Sequence, residues 1–113
     1  MSKVEIQEKE DPGEVEVVNE VIDLEEYAKA GKQPPLAKGY RFTVNGQPFV
    51  VEKSEVTGRE VLTIAGLLPA EEYTLRVKLA GGKPEKVGLN EKVDLRRKGI
   101  EKFKALPRDQ TEG

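Results

Sequence analysis

The sequence contains no cysteine. That absence removes disulfides, thiol nucleophiles and thiolate metal sites together, and it accords with a reducing compartment. Histidine is missing too, and this gap excludes more. A chain without His or Cys lacks the usual general base near neutral pH, the activated thiol and the commonest zinc ligands. Carboxylate or lysine chemistry remains open, but the residue set points away from an enzyme, and no bound metal or cofactor is expected. No run of about 18 apolar residues occurs, so no membrane-spanning helix is expected. No charged-then-apolar leader opens the chain, so export is not expected and a cytoplasmic location is.

What is present fits one small domain with short appendages: 113 residues, 36% hydrophobic and 35% charged, a modest core under a densely charged surface. The net charge of −2 hides a division. Residues 1–39 hold five lysines against ten acidic residues, whereas residues 40–106 hold thirteen basic against nine acidic. A chain so balanced lacks the strongly basic face of a nucleic-acid binder. It reads as an acidic arm joined to a mildly basic body.

Within the arm, "MSKVEIQEKEDPGEVEVVNEV" is acidic, broken at Pro12-Gly13 and poor in core residues, and is expected to be mostly flexible. Its "EVEVVNEVI" alternates weakly, enough to add as an edge strand to a partner or to its own sheet. "DLEEYAKAGK" carries the marks of a short helix near 24–30: Asp23 as cap with Glu26 at capping-box spacing, and Gly31 at the end. So short a helix needs Leu24, Tyr27 and Ala28 to dock on something. Pro34-Pro35 then stops it, and the body is expected to begin near Tyr40.

The body is patterned clearly. "YRFTV" sets Tyr40, Phe42 and Val44 on one face of a strand. Asn45-Gly46 is the strongest short signal for a hairpin, and "QPFVVE" returns, with Pro48 marking an edge or a bulge. In "TGREVLTIAGL", Thr57 and Glu60 form a capping box, Val61, Leu62, Ile64 and Ala65 an apolar stripe, and Gly66 the stop. "EYTLRVKL" alternates Tyr73, Leu75, Val77 and Leu79 against Thr74, Arg76 and Lys78. "AGGKPEKVG" reads as a turn, "NEKVDLRRKG" as an irregular link with a short turn or strand near Val93 and Leu95, and "IEKFKAL" as a last strand. Arg96-Arg97-Lys98 reads as a solvated turn. Hairpin, helix, strand, link and strand make the order of an α+β β-grasp, or ubiquitin-like, domain over about 40–106. Residues 107–113 then form a tail.

In that order, "IDLEEYAKAGKQPPLAKGYRFTVNGQPFVVE", "TGREVLTIAGL", "EEYTLRVKL", "VDL" and the ending "LPRDQTEG" resemble the bacterial multiubiquitin-domain proteins. These are ubiquitin-like modifiers from operons that also encode ubiquitin-pathway enzymes. The similarity spans roughly residues 21–113. It implies a modifier, monomeric by itself, whose reactive end is Gly113. An activating enzyme using ATP and Mg would adenylate it, a conjugating enzyme would carry it as a thioester to target proteins, and a JAMM-type metallopeptidase would remove it. The sequence departs from the family in two ways: several members carry tandem domains, and the residue before the terminal glycine is Glu112.

Physical reasons favour such a tail. Pro107 cannot donate to a ladder and so ends pairing, and a terminal glycine has no Cβ to hinder attack beside its carbonyl. Arg108, Asp109, Gln110, Thr111 and Glu112 are then expected to contact the activating enzyme, and the acidic arm to serve as a second docking element. The resemblance, since ubiquitin-like folds use their open sheet face, implies a docking face at Thr74, Arg76 and Lys78. Two other readings stay open: a sulfur carrier on the same fold, and a β-grasp interaction module that is never conjugated.

Overall fold

The computed structural model describes residues 17–108. The reading of residues 1–16 as flexible and the five tail residues Asp109–Gly113 lie outside the described residues. The chain runs β1 (Val17–Asp23), α1 (Leu24–Lys29), β2 (Leu36–Val44), β3 (Gln47–Val51), β4 (Glu55–Thr57), α2 (Gly58–Ile64), a 3₁₀ turn (Ala70–Glu72), β5 (Tyr73–Leu79), β6 (Glu85–Val87), β7 (Lys92–Asp94) and β8 (Ile100–Pro107).

The hairpin forms as its sequence predicts. Asn45 and Gly46 take φ of 52° and 86°, the pair of positive values a type I′ turn requires. β2 and β3 then pair antiparallel from Val44↔Gln47 to Tyr40↔Val51. Pro48 is tolerated because β3 pairs only with β2 and is an edge. Both halves of the capping box on α2 are made: Glu60 N–H donates to Thr57 Oγ1 (3.1 Å) and Thr57 N–H to Glu60 Oε1 (2.8 Å). α2 buries Val61 and Leu62 fully, but Ile64, expected in the same stripe, is exposed. Ile64 is the last residue of a seven-residue helix, about two turns, so the stripe ends there with no following turn to cover it.

β8 lies at the centre of the sheet. It pairs antiparallel with β5 from Leu79↔Ile100 to Tyr73↔Pro107, and parallel with β2 at Val44↔Phe103. A register shift leaves Glu101 without a partner residue. That bulge lets Ile100 and Phe103 face the core together although they stand three apart, with Ala105 following. Leu106, next along, points outward and is 49% exposed. Phe103 is wholly buried and meets Phe42 edge-to-face at 5.3 Å between ring centroids. This mixed sheet, with α2 packed against β5 and β4, has the α+β β-grasp arrangement.

Three pieces differ from the expectations. The "AGGKPEKVG" turn contains β6, which pairs with β5 through Leu75↔Val87 to Val77↔Glu85. The short strand expected near Val93 forms as β7, but its partner β4, just ahead of α2, has too few residues to show an alternation and is not announced in the sequence. The third difference is larger. Residues 17–39 are built into the sheet and core rather than standing apart as an arm, and the boundary expected at Tyr40 falls within β2.

β1 pairs parallel with β2 from Val17↔Leu36 to Asp23↔Arg41. Tyr40 and Arg41 pair with both β1 and β3, so these two strands flank β2 on opposite edges. Val44 pairs with Gln47 of β3 and Phe103 of β8, which puts β8 on the edge that β1 vacates. The two strands thus follow one another along one edge of β2, and α1 packs mainly against β8. Asp23 caps α1 by accepting from Glu25 N–H (3.1 Å), and Leu24 and Ala28 are buried. Docking supplies the stability that six residues of helix lack. The return link is pinned by Tyr40, whose hydroxyl donates to Pro35 O (2.7 Å) and accepts from Ala37 N–H (2.9 Å). Arg96, read as part of a solvated turn, also donates through Nε to Pro34 O (3.3 Å).

Candidate functional site: the root of the tail and the open sheet face

The first region is where β8 leaves the sheet. Pro107 is its last residue and pairs with Tyr73, the first residue of β5. The exit has two causes: proline offers no N–H, and the partner strand begins there, so the next residue has no ladder to join. Two clasps hold the chain on either side of this point. The Asn45 side chain donates through Nδ2 to Ala105 O (3.0 Å) and accepts from Ala105 N–H through Oδ1 (2.9 Å). An amide side chain here imitates one residue of a neighbouring strand, where β2 has already turned away. Sequence reasoning found Asn45 only as a turn residue, because a contact across sixty positions leaves no local signal.

The second clasp is Arg108, which donates through Nε to Glu71 O (2.6 Å). The Glu71 carboxylate in turn binds Arg59 Nη1 at 2.7 Å. That guanidinium, first through its hydrogen bond, holds the Glu71 carboxyl below the ordinary carboxylate range. Glu71, Glu72, Pro107 and Arg108 line a shallow hollow of about 250 Å³. Of the seven residues expected in the tail, Pro107 and Arg108 are among the described residues. Asp109, Gln110, Thr111, Glu112 and Gly113 lie outside the described residues.

The second region is the outer face of β5 and β8. Thr74, Arg76 and Lys78, singled out by alternation, stand on it and pair in register with Leu106, Lys104 and Lys102 of β8. These six and Pro84 line a shallow hollow of about 280 Å³. A second hollow shares Lys102, Lys104 and Leu106 and adds Thr43, Asn45 and Glu25 of α1. Thr74 is only 6% exposed, so it forms part of the floor and offers little surface of its own. Lys78 pairs with Glu101 at 3.5 Å, and Glu25 with Lys29 at 3.7 Å. Arg76, Lys102 and Lys104 have no ion pair among the described residues. The result is an apolar floor of Leu106 and Pro84 ringed by cations.

With this geometry in view, comparison decides the family: the multiubiquitin family model matches residues 40–108. The chain belongs to the multiubiquitin family. Searches of curated proteins and of solved structures gave no match. The matched stretch of the multiubiquitin domain opens at Tyr40 and closes at Arg108, so β1 and α1 precede it and both clasps lie inside it. Among the described residues no group of His, Cys, Asp or Glu is gathered to hold a metal ion, and no helix is long and apolar enough to cross a membrane.

Proposed function

We propose that this multiubiquitin-family protein is a ubiquitin-like modifier activated at Gly113, as the terminal residue or exposed as such by a peptidase. The observation that carries this reading is the central position of β8, whose partner strand begins opposite Pro107. β8 is thus held on both sides, its pairing ends at Pro107, and Arg108 beside that point is clasped. Family membership supports the same reading, as does a chain with neither His nor Cys, because the catalytic groups then belong to partner enzymes.

In this reading the Gly113 carboxylate attacks the α-phosphorus of ATP, held with Mg by an activating enzyme. An acyl adenylate forms and pyrophosphate leaves. A cysteine thiolate then attacks the acyl carbon and expels AMP, giving a thioester that a conjugating enzyme passes to target proteins. A JAMM-type metallopeptidase reverses the final bond by hydrolysis. The protein acts in the cytoplasm as a substrate of these enzymes and is not itself an enzyme. The 107–113 tail spans at most roughly 23 Å, enough to thread a narrow channel while the body stays outside. Pro107 and Arg108 set its direction, and Asp109, Gln110, Thr111 and Glu112 fix its register.

The test is intact-mass spectrometry of the chain with an activating enzyme from an operon of this family, ATP and magnesium. Wild type is run beside Gly113→Ala and a deletion of Gly113. An ATP-dependent, thiol-labile adduct made by wild type and lost on deletion is expected. A product 16 Da heavier indicates a sulfur carrier instead. No adduct, with the enzyme shown to be active, overturns the reading and leaves an interaction module.

A further inference from the structure

Nothing among the described residues neutralises the outer sheet face. Arg76, Lys102 and Lys104 stand without ion pairs around Leu106 and Pro84, and the two carboxylates beside them, Glu101 and Glu25, are engaged by Lys78 and Lys29. A ring of unpaired cations around an apolar floor suits an extended peptide that alternates aliphatic and acidic residues. The chain contains one. Residues 1–16 hold six acidic and two basic residues, with Val4 and Ile6 on either side of Glu5.

We infer that the N-terminal segment of the same chain, residues 1–16, docks on this face. Reach permits it. β1 enters the sheet at Val17 beside Leu36, and β8 meets β2 at Val44, which sets the face roughly 26 Å further along β2. Sixteen residues extend to roughly 50 Å, and a chain that turns back directly ahead of Val17 covers roughly 36 Å by Ile6, enough to lay Val4 and Ile6 on the face. Tethering also gives a segment in cis a high effective concentration that a separate weak ligand does not have. The inference does not rest on the modifier reading, since it concerns only the protein alone. Its consequence is that any acidic partner using this face must first displace the segment.

The full chain tests it directly, and the absence of cysteine makes labelling clean. Gln7→Cys carrying a nitroxide is measured by paramagnetic broadening of backbone amides. Peaks from 74–78 and 102–106 are expected to lose intensity while those of α2 do not. The loss should disappear in Lys102→Glu/Lys104→Glu and should weaken steeply toward about 1 M salt, where screening shortens to roughly 3 Å. The salt series needs no charge reversal, so it decides the matter even if the double variant folds poorly. Unbroadened peaks on the face, or broadening indifferent to salt, overturn the inference. So does broadening that appears only when labelled chain is mixed with isotope-enriched unlabelled chain, which would assign the segment to a second copy.

Discussion

Two faces of one strand differ more than any two strands of the molecule. β8 sends Ile100, Phe103 and Ala105 into a closed core and holds Lys102, Lys104 and Leu106 on the open side. A one-residue bulge at Glu101 keeps the two sets apart. The inner set makes the domain rigid, and the outer set makes a surface that can be occupied. A strand central in the sheet serves both ends, because its position is fixed from two sides while only one face is spent on packing.

That contrast can be broken at the core first. Phe103→Ala removes a fully buried ring and its contact with Phe42, and should cost about 3–5 kcal/mol. Lys104→Ala, on the other face of the same strand, should stay within about 0.5 kcal/mol. Urea midpoints of the two variants measure the difference, and similar losses would mean that the outer face is not free of structural duty.

The next largest effect concerns β1 and α1. Leu24 is 1% exposed in the core, so Leu24→Ala should cost about 2–4 kcal/mol. A midpoint close to wild type would return residues 17–39 to the status of an appendage. For the same reason, deleting 1–35 to ask about docking would also remove Ile22 and Leu24, so removal of 1–16 is the cleaner comparison.

Asn45→Gly keeps the positive φ but removes the clasp on Ala105. Leaving that backbone pair partly unsatisfied should cost about 1–3 kcal/mol. Amide exchange should rise at 104–107 before it rises in the rest of β8. Uniform exchange along the strand would show that β5 alone holds it.

The smallest effect is electrostatic. Lys53, first through its hydrogen bond, and then the Thr57 N–H hold the Glu60 carboxyl below its ordinary range. A carboxyl depressed in the folded state contributes stability above the ordinary carboxylate range and loses it as pH falls through the lowered value. Both partners are well exposed, so Lys53→Met should flatten the acid limb of stability by only a few tenths of a kcal/mol. Chemical denaturation between about pH 6 and pH 3 reads this. A steeper acid limb in the variant would contradict the pairing.

Much of this was legible because it is local. Asn45-Gly46, the Thr57–Glu60 box, and the alternations around Tyr40 and Leu75 each carry their cause within a few residues, and each is made as read. The family order, and the placing of Thr74, Arg76 and Lys78 on one face of β5, came from the same patterns. What escaped depended on distant partners. Leu106 needed the Glu101 bulge to be placed, and β6 and β4 are three residues long, too short for a period to show. Asn45's hold on Ala105, and the meeting of Arg76 with Lys104, join positions far apart in the chain.

The sequence by itself determined the β-grasp order, the hairpin, the capped helix and the exclusion of His and Cys chemistry, because residue type and near spacing are enough for those. Only the tertiary structure decided that β1 and α1 belong to the core and that β8 carries a basic face opposite a buried one. Each of these is a question of what a segment lies against, and the energy of that contact resides in both partners, not in either segment's own pattern.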